Sequence, residues 1–187
     1  MGFLALAGTV DRMAIATPPT DVSNGELIRW AFEMLNQRDV APLKQFWTAD
    51  TVERFPDRTC RGADEIAAYF EEAFAALPDF HMEVRSIAEQ DEDVFVHWHL
   101  TGTHEGPILG IEPTGKKLSI DGIDHFVVRE GRVVSNFVVF DQMQYARQIG
   151  MMPPDGSAGD KALKAAFNAR TKVGQKVSEL QARRTRS

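Results

Sequence analysis

A change of hydrophobic period near Pro78 is the feature that most constrains this chain. Before it, apolar residues recur at helical spacing; after it, they alternate along extended runs. Leu27, Ile28, Ala31, Phe32, Met34 and Leu35 form one stripe, with Ser23 or Asn24 able to cap it and Glu26 near its positive end. Residues 36–39 end that helix. The pattern predicts a second helix over residues 40–47, with Leu43, Phe46 and Trp47 on one side, and an extended piece over 51–55. A third helix runs from Gly62 to Leu77, stopped by Pro78. Strands follow over residues 80–88, 94–103, 118–129 and 133–140, the last two joined by a tight turn at Glu130-Gly131. Helices first and an antiparallel sheet second predict an α+β fold.

The chain has 187 residues, enough for one domain with tails. The division expected is an arm over residues 1–20, a folded domain over 21–152, and an extension over 153–187. That extension reads as helical over 162–182, interrupted at Gly174. Net charge is −6 but uneven: residues 155–187 hold eight Lys/Arg and three acids, so the rest of the chain stands near −11. An acidic body of this kind is not built to hold nucleic acid. The basic extension reads first as a solvated helix, and otherwise as a docking element in an assembly. No run is long and apolar enough to span a membrane, and the apolar start of the chain lacks the basic residues of a secretory signal. The single cysteine, Cys60, fits a reducing, cytoplasmic setting and leaves no internal disulfide or cysteine metal cluster.

Two side chains stand out chemically. Asp124 falls mid-strand between Ile123 and the run from His125 to Val128, where a charge is costly unless satisfied. Counting in twos from Val96 through Trp98, Leu100 and Gly102 puts His104 on the same apolar face, able to hold a ligand or shuttle a proton. The same count sends His97 and His99 to the opposite face. Their one-residue spacing invites a metal site with His104 or Glu105, but the parity opposes it, so no metal is expected.

The stretch Thr101-Gly102-Thr103-His104-Glu105-Gly106, followed by Leu109-Gly110-Ile111 and Pro113-Thr114-Gly115-Lys116-Lys117, resembles the SnoaL-like polyketide cyclase family. Gly122-Ile123-Asp124 and Gly131-Arg132-Val133-Val134 resemble that family's final hairpin, and the likeness extends over about residues 24–150. The resemblance implies a cone, a curved antiparallel sheet wrapped around the N-terminal helices with one cavity inside, and a homodimer through the outer sheet face. It implies a catalytic role for Asp124, comparable to the carboxylic acid of ketosteroid isomerases that is kept neutral to hydrogen-bond an enolate. His104 is the second catalytic candidate, and Trp30 or Phe32, Arg54, Phe55, Trp98, Phe126, Val138 and Phe140 are the candidate ligand-binding residues.

Two departures accompany the likeness. The cyclases' usual aspartate falls on Val138, and the isomerases' general base falls on Phe55, with Glu53 and Arg54 beside it and Ala31 at the tyrosine position. Asp141 reads as structural, facing away from the cavity. The activity implied is cofactor-free aldol cyclisation or enolisation of a hydrophobic, carbonyl-bearing small molecule. The alternative is a non-catalytic carrier or sensor on the same fold.

Overall fold

The computed structural model describes residues 17–108 and 110–184, with no account of the side chains of 179, 180 and 182–184. The expected arm therefore lies almost wholly outside the described residues. Two compact units divide at Asp141, the first ending there and the second starting at Gln142.

In the first unit, α1 (Asn24–Asn36) starts with a capping box: Ser23 accepts from the Glu26 amide and Glu26 returns the bond to the Ser23 amide. Glu89, from β3 (His81–Gln90), also accepts the free amides of Asn24 and Gly25 at 3.1 and 2.9 Å. The positive end of α1 is thus tied to the sheet by a carboxylate. At the other end, the Asn36 side-chain amide pairs with both backbone groups of Met82, at 2.8 and 2.7 Å. It satisfies part of the β3 edge much as another strand would. The helical stripe from Leu27 to Leu35 is buried.

The second predicted helix is reduced to one 3-10 turn, Leu43–Gln45. Pro42 has no backbone N–H to carry a helix forward, and β1 (Trp47–Arg54) starts almost at once. The apolar side chains at Leu43, Phe46 and Trp47 are nevertheless buried as their spacing implied. A short strand not foreseen in the sequence, β2 (Thr59–Arg61), pairs with β1 before α2 (Gly62–Ala76).

The remaining strands are β4 (Asp93–Thr103), β5 (Lys117–Arg129) and β6 (Arg132–Phe140). At the β5–β6 turn, Glu130 and Gly131 both take positive φ, 50° and 70°, the geometry a two-residue hairpin needs. The six strands are ordered β2-β1-β6-β5-β4-β3 in one open sheet. Every pairing is antiparallel except β1 with β6, which is parallel, so the sheet is mixed where a purely antiparallel one was expected. Irregularities near Arg85, at Val127/Val128 and between Trp47 and Val52 bend the strands. The fold class is α+β, as the order of elements implied.

The second unit holds α3 (Gln142–Gln148) and α4 (Ala158–Arg184). The latter runs through Gly174 without the expected break. Asp160, buried in its first turn, pairs with Lys164 at 2.7 Å and accepts the Gly156 amide at 3.1 Å. Along α4, Leu163, Phe167, Val173 and Val177 are exposed.

Candidate functional site

Strand alternation sorts the first unit's polar residues onto two faces. On the inner face of β5, Leu118, Ile120, Gly122, Asp124, Phe126 and Val128 are all buried. Asp124 faces Val96 across the β4 ladder and Val138 across the β6 ladder, and it is only 6% exposed. Its Oδ1 accepts from the Trp98 indole Nε1 at 2.9 Å, and its Oδ2 accepts from the Asn136 side-chain amide at 3.3 Å.

Asn136 links this acid to a second one. Glu53 on β1 lies opposite Asn136 on β6 through the parallel pairing, and its Oε2 accepts from the same amide nitrogen at 3.4 Å. Glu53 is 1% exposed and Asn136 2%. Burial dominates both carboxyls and disfavours their charged forms. It pushes Asp124 up to about 7 against the pull of Trp98 and Asn136, and pushes Glu53 up to about 8, with the nearby Asp124 adding to the rise. Near neutral pH the pair therefore passes between proton-loaded and ionised forms, a state suited to general acid–base work. The Asn136 carbonyl oxygen has no hydrogen-bond partner. A buried acceptor left unpaired costs about 1–3 kcal/mol.

Counting in twos along each strand puts Glu53 and Asn136 on the inner face, though it does not bring them into contact with each other. Asn136 stands two residues before the buried Val138, and Glu53 two residues before Phe55. Arg54, expected among the ligand-binding residues, is a correction. It alternates with Glu53, pairs in register with Phe137 on the outer face, and is exposed.

The aromatic candidates fall into separate groups. Phe32 meets Phe126 edge-on at 6.4 Å, Trp98 lies 6.4 Å from Phe140, and Trp30 meets Phe46 edge-on at 6.4 Å. Phe55 stacks on Tyr69 of α2 at 3.7 Å, in an aromatic cluster with Phe70. Val138 is buried directly opposite Asp124.

His104 is on the inner face and fully buried, as the parity count required. It does not meet Asp124. Val96 is the residue opposite Asp124, and His104 lies eight positions farther along, about 26 Å measured along a strand. Its Nδ1 is 3.1 Å from the Thr114 hydroxyl, and its backbone bonds Lys116 and Gly115, closing the loop after β4. Its Nε2 is buried and unpartnered. The two catalytic candidates thus share the inner face but stand far apart along it.

The outer face carries the other histidines. His99 lies 3.0 Å and His97 3.4 Å from Asp121, and His125 lies 2.6 Å from Asp93. Among the described residues, no group of three His, Cys, Asp or Glu side chains is placed to hold a metal ion. Asp141 is exposed.

The model of the SnoaL-like polyketide cyclase family matches residues 25–149. Solved structures of similar fold include AclR from Streptomyces galilaeus, with 24% identity, TM-score 0.58 and coverage of 77% of this chain and 89% of that one. A protein from Jannaschia sp. CCS1 described as a SnoaL-like polyketide cyclase has 20% identity, TM-score 0.64 and coverage of 73% and 100%. IdmH from Streptomyces antibioticus, described as a polyketide cyclase, has 23% identity, TM-score 0.58 and coverage of 66% and 95%. No curated protein sequence matches the chain. At these identities the structural likeness speaks for the fold alone.

Proposed function

Because the chain belongs to the SnoaL-like polyketide cyclase family, we propose that it binds a hydrophobic, carbonyl-bearing small molecule and cyclises or enolises it by proton transfer alone. The observation that carries this reading is the buried carboxyl of Asp124, held by Trp98 and Asn136 on an otherwise apolar sheet face. In its neutral form Asp124 donates a hydrogen bond to the substrate oxygen as negative charge grows there. For an aldol closure, a proton leaves the carbon beside that carbonyl and the enolate carbon bonds to a second carbonyl carbon. A proton then returns to the new alkoxide. Glu53 and Asp124 together supply a group that can take a proton near neutral pH and one that can give it back. Trp98, Phe126, Phe32, Val138 and Phe140 surround this group with apolar surface suited to a flat ligand.

The same reading includes a homodimer through the outer sheet face, where Phe95, Ile123, Phe137 and Val139 are exposed on neighbouring strands. It also includes residence in the cytoplasm. Cys60 is a free thiol, and no described helix is long and apolar enough to cross a membrane.

A second reading, a carrier that binds without converting, is favoured by Val138 and Phe55, which cannot exchange protons. Incubating the protein with aromatic polyketide-type ketones and following both thermal stabilisation and product by mass spectrometry separates the two. Conversion that falls a hundredfold or more in Asp124→Asn, with an unchanged circular dichroism spectrum, is the expected outcome. Stabilisation with no product for any ligand would favour the carrier, and turnover unchanged in Asp124→Asn would remove that residue from the mechanism.

A further inference from the structure

The valences around Asn136 do not close within the protein. Its side-chain nitrogen has two hydrogens, and both are directed at carboxyls, Glu53 at 3.4 Å and Asp124 at 3.3 Å. Two acids on the same side fix the orientation of the amide. Turning it over would withdraw the amide donor from both carboxyls. The carbonyl oxygen is therefore held pointing elsewhere, on a residue 2% exposed, with no donor to meet it. The Trp98 N–H is already given to Asp124. The group as a whole thus presents a carboxyl proton as donor and, one amide away, a bare acceptor.

From this pattern we infer that Asn136 is a specificity-determining residue whose carbonyl oxygen receives a hydroxyl or enol proton from the bound molecule. The ligand is then a β-hydroxyketone or an enolised 1,3-dicarbonyl compound, whose carbonyl meets Asp124 while its O–H meets Asn136. This rests on the placement of the ligand carbonyl at Asp124 and adds the second contact point. A ligand with a carbonyl alone leaves the buried acceptor unpaired, and a site built to accept a hydroxyl proton discriminates strongly against the analogue lacking it. In the β-hydroxyketone, the carbon between the two oxygen-bearing carbons still carries the acidic proton that an enolisation removes.

Isothermal titration of the full chain with three probes tests the inference. The probes are 1-phenyl-1,3-butanedione, which is largely enolised, its enol methyl ether, and butyrophenone, which has the same phenyl ketone and no second oxygen. The expected result is that the enolised diketone binds at least tenfold more tightly than either of the other two. In Asn136→Leu, which keeps the branched shape and removes the acceptor, the affinity ratio of the enolised diketone to butyrophenone shrinks to within twofold. Equal affinity for all three probes in the unaltered protein overturns the inference and leaves the role of Asp124 standing, without relying on any variant. An advantage that persists in Asn136→Leu also overturns it. Failure of all three probes to bind overturns the inference together with the functional reading beneath it.

Discussion

Trp98 reaches Asp124 because Gly122, its partner across the β4–β5 ladder, has no side chain. The indole lies over the glycine, where any Cβ would collide with its ring, and from there its N–H extends to the carboxyl two residues along the neighbouring strand. The apolar wall and the polar anchor of the candidate site are thus parts of one packing arrangement.

Gly122→Ala is expected to displace the indole and destabilise the fold by about 1–3 kcal/mol, the usual cost of overpacking a closed core. Denaturant titration measures the loss, and the Trp98 contribution to fluorescence should shift to the red as the ring leaves its buried position. A fully stable variant with unchanged emission would show that the indole is not locked over Gly122.

Stability should respond to pH in an unusual direction. In the folded chain Asp124 and Glu53 stay protonated up to about 7 and about 8, whereas in the unfolded chain they ionise near the ordinary carboxylate values, 3.8 and 4.5. Below about pH 3 both states hold the protons and the two groups contribute no slope. As pH rises from there, the folded state binds more protons than the unfolded one, so stability falls by roughly 1.4 kcal/mol per pH unit for each group until its folded-state value is passed. Unfolding free energies measured between pH 4.5 and 8 should fall less steeply in the Glu53→Gln, Asp124→Asn double variant. Parallel curves for the two proteins would mean that neither acid is buried as described.

Thr51 is expected to matter for a different reason. Its hydroxyl donates to the Val133 carbonyl at 2.6 Å and accepts the Thr48 amide at 2.8 Å, at the irregularity where β1 joins β6. Thr51→Val keeps the shape and leaves the Val133 carbonyl without that donor, at an expected cost of about 1–3 kcal/mol by chemical denaturation. Because Glu53 follows two residues later on the same strand face, the variant should also weaken ligand binding.

The proposed dimer makes a hydrodynamic prediction. Phe137 is 50% exposed on the outer face and pairs in register with His125, whose ring stacks on Phe95 at 4.3 Å. Sedimentation of Phe137→Glu should show a monomer where the unaltered chain sediments as a dimer, because two charges would be brought together in an apolar interface. A monomer in both cases would leave the outer face without a second copy.

Local pattern alone determined much of this protein. Period-two alternation placed Asp124 and His104 on the inner face and His97 and His99 on the outer one, and the Glu130-Gly131 pair marked its hairpin. These features depend on residues adjacent in the chain, so they can be read from it directly. The meeting of Glu53 with Asn136 across 83 residues came instead from a parallel pairing of β1 with β6, which no local spacing specifies. The separation of His104 from Asp124 has the same origin: two residues can share a face and still stand at opposite ends of a hairpin, and only the register between strands sets that distance. Which buried acids could share a proton was therefore decided by the tertiary structure, since the register determines both their proximity and their removal from water.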